Sequence, residues 1–87
     1  MTRVLDLGSG DVRIQDIRGV CLTLGADDNM YAVLEVRGGV DQMIYSDPDP
    51  DLVMRVICDL DDALDHAPGR IILADLVRAA KRGVLAE

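Results

Sequence analysis

Aromatic residues are almost missing from this chain: of 87 residues only Tyr31 and Tyr45 are aromatic, and there is no Phe or Trp. The core must therefore come from Val, Leu, Ile, Met and Ala, and unpaired bases would find almost no rings to stack on. Histidine occurs once, at His66, and serine only at Ser9 and Ser46. A nucleophile, base and orienting acid would thus meet only by chance, and a sugar cleft would lack its usual aromatic floor. The expectation is a protein that is not an enzyme and uses no cofactor. Cysteine is scarce too, with Cys21 and Cys58 too far apart for a CxxC pair. Both lie among apolar positions, which suggests buried, reduced thiols. No apolar run approaches the ~20 residues of a membrane span, and no charged, apolar and small-residue succession of a secretory leader opens the chain. These absences favour a cytoplasmic protein with no membrane partner.

What the chain does have is aliphatic content and acid. Hydrophobic residues make up 49% of it, high for a domain whose small size limits how much surface it can bury. A self-associating apolar face follows, and a homodimer is the expected oligomer. The net charge of -7 is unevenly spread: residues 1–40 carry -2, residues 41–66 carry -7 and residues 67–87 carry +2. An acidic surface repels phosphate, so direct nucleic-acid binding is disfavoured. The cations Arg78, Lys81 and Arg82 fit as a complement to the negative end of a helix.

Hydrophobic spacing divides the chain at Ser46-Asp47-Pro48-Asp49-Pro50-Asp51. Before that point it reads as strands: Val4 to Leu7, closed by Gly8-Ser9-Gly10; Val12 to Ile17; Val20 to Leu24, closed by residues 25–29; and Met30 to Val36. Gly38-Gly39 suggests a two-residue hairpin loop, which would pair Ala32 with Tyr45 and Leu34 with Met43 and gather Met30, Ala32, Leu34, Val36, Met43 and Tyr45 on one buried face. Beyond the break, Val53, Val56, Ile57, Leu60, Ala63, Leu64 and Ala67 recur at helical intervals. Asp49 and Pro50 supply an N-cap and a preset first turn, and Pro68-Gly69 a stop. Residues 70–74 fit strand or helix equally, after which helical spacing leads to a stop at Gly83. The predicted fold is α+β: a single domain over residues 1–87, with an antiparallel meander of about four strands followed by one long and one shorter helix packed on it.

Val4-Leu5-Asp6-Leu7-Gly8-Ser9-Gly10-Asp11 resembles the first motif of class I methyltransferases, in which a strand feeds a glycine turn beside S-adenosylmethionine. Where that family has a further glycine and a helix, this chain has Val12 and strand-like alternation, and the doubly wound fold needs far more chain. We therefore read a strand closed by a glycine turn and carry no cofactor role onto Gly8 or Gly10. Asp47, Asp49 and Asp51 alternate as calcium ligands do, but the loop glycine and the closing bidentate Glu are missing, and helix capping accounts for them.

Asp59, Asp61, Asp62 and Asp65 crowd the last turns of the long helix, where the backbone already presents partial negative charge. Helix stability does not explain them. They are the candidate partner-binding residues of a small acidic interaction protein whose helix face attracts a Lys- or Arg-rich protein. One form of that activity is mimicry of nucleic-acid phosphate to occupy a DNA- or RNA-binding protein. A different reading is a small-ligand or metal site near Tyr45, Asp62 and His66, although zinc sites ordinarily want more nitrogen and sulfur ligands than these offer.

Overall fold

The computed structural model describes residues 3–66 and 69–86, with side chains as far as Gly83. The fold is α+β, with six strands in two small sheets among the described residues where a single meander was expected. The first sheet has β1 (Val4–Asp6) at its centre, flanked by β2 (Asp11–Arg13) and β6 (Arg70–Ile72). β1 and β2 form an antiparallel hairpin whose turn uses Gly8 at φ 84, with the Gly8 N–H donating to Asp6 Oδ1 at 2.8 Å. The glycine turn thus leads back into a strand, with no helix following it. β6 lies parallel to β1, so the pairing is not antiparallel throughout, and residues 70–72 resolve as strand.

Asp6 sits directly opposite Asp11 in this sheet, a like-charge pair that destabilises on its own. Arg70 resolves it from the neighbouring strand. Its guanidinium holds both Asp11 oxygens at 2.9 Å and reaches Asp6 Oδ2 at 3.1 Å. The hydrogen bonds to Asp11, followed by that carboxylate's charge, raise the Arg70 pKa above its ordinary value.

The chain leaves β2 through a 3-10 turn at Ile14–Asp16, which breaks the continuous strand expected from Val12 to Ile17. It then enters the second sheet, in the order β3 (Ile17–Leu24), β4 (Met30–Val36) and β5 (Gln42–Asp47), all antiparallel. The hairpin between β4 and β5 departs from its expected form. Ala32 does face Tyr45, but Val33 faces Met43 and Leu34 faces Gln42, which leaves Ile44 as an extra residue in a bulge. Met43 consequently turns outward and is 61% exposed, while Ile44 packs toward the core. Residues 37–41 form the connection, longer than two glycines require.

Helix α1 (Pro50–His66) lies across the second sheet, burying Leu52, Val53, Val56, Ile57 and Leu60 along one stripe. It starts as anticipated: the Asp51 N–H donates to Asp49 Oδ1 at 3.0 Å, and the Asp49 N–H to Asp47 Oδ1 at 2.9 Å. Ala67 and Pro68 lie outside the described residues. Helix α2 (Leu73–Ala86) packs against α1 and runs through Gly83, where a helix end was expected. The Arg55 guanidinium lies over this glycine, 2.5 Å from where a Cβ would stand, and as the end of a flexible side chain it could shift aside.

Two adjoining clusters make up the core. Leu5, Leu34, Leu52, Val56, Leu60, Ile71, Leu73 and Ala80 join both sheets to both helices, and Ala32, Val53 and Ile57 lie beside them. Cys58 is exposed and Cys21 half-buried, both free thiols, so the expectation of two buried cysteines fails. Position 58 lies between the apolar positions 57 and 60 but on the solvent side of α1, which proximity in sequence does not reveal.

Candidate functional site: the acidic flank of α1

All four candidate aspartates are exposed, yet they do not form one patch. Residues two apart on a helix point to nearly opposite sides, so Asp59 and Asp61 flank the solvent face from different directions. Asp59 follows Arg55 by one turn and falls on the side where Arg55 meets α2. Asp62 lies between them, 3.6 Å from His66 Nε2 in a contact exposed on both sides, a geometry that contributes little even when the imidazole is protonated.

Asp61 and Asp65, one turn apart, face β3 together. They line a cleft of about 220 Å³ with Ile14, Ile17, Arg18, Gly19 and Leu64. The 3-10 turn builds its floor, because three residues per turn place Ile14 and Ile17 on the same side. Arg18 lies at the cleft and forms no ion pair among the described residues. The cleft therefore combines apolar surface with two carboxylates from α1 and the Arg18 cation from β3. Sequence reasoning named its acids but missed Ile14, Ile17, Leu64 and Arg18 as lining residues. The i, i+3 spacing of the two isoleucines was the available signal, masked by the alternation of Val12, Ile14 and Asp16.

A cation offsets the negative end of α1. Arg3 donates to the carbonyl oxygens of Leu64 at 3.0 Å and Ala63 at 3.4 Å, satisfying two of the orphaned acceptors and opposing the negative end of the dipole. The last turn is thus stabilised by a cation from the opposite end of the chain.

The second reading, a site near Tyr45, Asp62 and His66, brings together residues that the fold keeps apart. Tyr45 packs on Ala32, Val53 and Ile57 toward the start of α1, and its hydroxyl donates to Asp47 Oδ2 at 3.4 Å. Burial, reinforced by the charge of Asp47, pushes its pKa up. Asp62, five residues beyond Ile57, is turned to the solvent side of α1. Among the described residues no group of three or more His, Cys, Asp or Glu side chains is placed to hold a metal ion, and no helix is long and apolar enough to cross a membrane. The chain matches no protein-family model, no curated protein and no solved structure.

Proposed function

We propose that this is a non-enzymatic interaction protein that engages a basic protein partner through the acidic flank of α1. The observation that carries this reading is the shared cleft of Asp61 and Asp65 over Ile14, Ile17 and Leu64. A lysine or arginine side chain has that chemistry in reverse, an apolar stem ending in a cation. Its stem would cover the isoleucines and its charge would lie between two carboxylates that otherwise repel each other across one helical turn. Asp59 and Asp62 add long-range attraction, raising the rate of encounter more than the lifetime of the complex. Mimicry of nucleic-acid phosphate is a special case, in which the partner's basic groove would extend over all four acids. Free thiols at Cys21 and Cys58 favour the reducing cytoplasm as the setting.

Titration of a panel of lysine- and arginine-rich peptides tests the assignment. Asp61→Asn with Asp65→Asn is expected to weaken binding by about tenfold and flatten its salt dependence, with Asp59→Asn changing mainly the association rate. Affinity and salt dependence unchanged in the double variant would defeat it.

A further inference from the structure

Among the described residues β3 is paired along one edge only, with β4. A strand edge with free N–H and C=O groups is a template for another strand, and proteins usually blunt it with a charge, a proline, a bulge or brevity. The other edges of this molecule are blunted. β2 and β6 have three residues each, and β5 carries the Ile44 bulge, ends in Asp47 and runs into Pro48. β3 has eight residues, no proline and one charge, Arg18, at the irregularity where the strand begins. From Gly19 to Leu24 nothing guards it.

Beside this edge lies apolar surface that the monomer leaves in water. Leu22 and Leu24 project from the same face of β3 as Val20, toward the α1 side, and are 36% and 68% exposed. Met54, on the same flank of α1 as Asp61, is 39% exposed. The charges at the two ends of the strand are opposite. Arg18 stands at its start with no ion pair among the described residues, and the Asp27–Asp28 turn follows its end, with Asp28 exposed at φ 65.

We propose that β3 pairs through its free edge with β3 of a second copy of this chain, antiparallel about a two-fold axis at Leu22, joining two three-stranded sheets into one of six. This register sets Leu22 against Leu22 and Val20 against Leu24 of the second copy, covering the exposed leucines with aliphatic neighbours. It also directs Arg18 of each copy to the Asp27–Asp28 turn of the other. Parallel pairing would instead bring the two Arg18 side chains together. An isologous contact of this kind closes at two copies and leaves no free β3 edge for a third. The interface shares Arg18 with the rim of the Asp61–Asp65 cleft but not its carboxylates, so Leu24→Lys, at the far end of β3, is the variant that tests the edge apart from the cleft.

Sedimentation equilibrium from low-micromolar to near-millimolar chain is the test. A monomer–dimer equilibrium is expected, its dissociation constant raised about tenfold by Arg18→Glu and by Leu24→Lys, with Asp28→Lys restoring association to Arg18→Glu. Both primary changes fall at exposed positions, and circular-dichroism melts check that the variants are folded. In a Cys58→Ser background, Thr23→Cys is expected to cross-link to Cys21 of the second copy on mild oxidation, since that register sets those positions opposite each other. Three outcomes would each overturn the assignment: a chain monomeric throughout, a dimer indifferent to both Arg18→Glu and Leu24→Lys, or a dimer in which Thr23→Cys stays uncross-linked. The first would leave the edge to an extended segment of a different protein.

Discussion

Tyr31 organises the turn between β3 and β4 through two contacts, to Asp27 and over Gly25. Its hydroxyl donates to Asp27 Oδ2 at 2.6 Å, its ring lies where a Cβ on Gly25 would collide with it, and Asp27 in turn accepts from Asn29 Nδ2 at 3.2 Å and the Asn29 N–H at 3.3 Å. The Tyr31 hydrogen bond is the main cause holding the Asp27 carboxyl below its ordinary value, and the same bond raises the Tyr31 hydroxyl. The signs define a window. A lowered Asp27 stabilises the fold above the ordinary aspartate value of 3.8 and ceases to do so as pH falls through its own pKa; a raised Tyr31 stabilises below the ordinary tyrosine value of 10.0 and ceases as pH rises through its own. Tyr31→Phe is therefore expected to lower Tm at neutral pH, and the gap from wild type should shrink at both extremes. Melts across pH check this, and a gap independent of pH would contradict it. The sequence displays the turn-forming run from Gly25 to Asn29, but the stacking of Tyr31 on Gly25 is a through-space contact that no spacing rule encodes.

The two ends of α1 differ in how far they can be read from sequence. Its start is local, since Asp49, Pro50 and Asp51 are neighbours and the cap forms among them. Asp49→Ala is expected to cost about 1 kcal/mol, seen as a lower urea midpoint with an unchanged slope. Its other end is held by Arg3, sixty residues away in the chain from Ala63, which explains why reasoning from helix polarity alone found the aspartates unexplained. β5 shows a related limit. Alternation correctly paired Ala32 with Tyr45, and one inserted residue at Ile44 reversed the inward and outward assignment toward the loop, exposing Met43. A bulge changes no apolar residue into a polar one, so it leaves composition and period intact while moving side chains across the sheet.

For the molecule as a whole, the class of fold was legible and the number of sheets was not. Strand-like and helix-like periods occupy separate halves, which suffices for α+β. The parallel contact between β1 and β6 joins three-residue segments too short for a period to be recognised. Leu60 is fully buried in the cluster that includes Leu5 of β1, Leu34 of β4, Ile71 of β6 and Leu73 of α2. Leu60→Ala is expected to cost about 2–5 kcal/mol and to destabilise both sheets in one transition. Hydrogen exchange would show it: protection lost from β4 while β1 kept its own would mean that the sheets unfold separately.

The place of β1 between β2 and β6 also has a temporal consequence. Of the strands described, β1 is made before the others, yet one of the two strands it must join is made only after residue 69. Hairpins through β5 close over short stretches of sequence, whereas β1 is among the last to gain its full set of neighbours. The Arg70 guanidinium, reaching back to Asp11 and Asp6, is positioned to act as the latch that completes assembly.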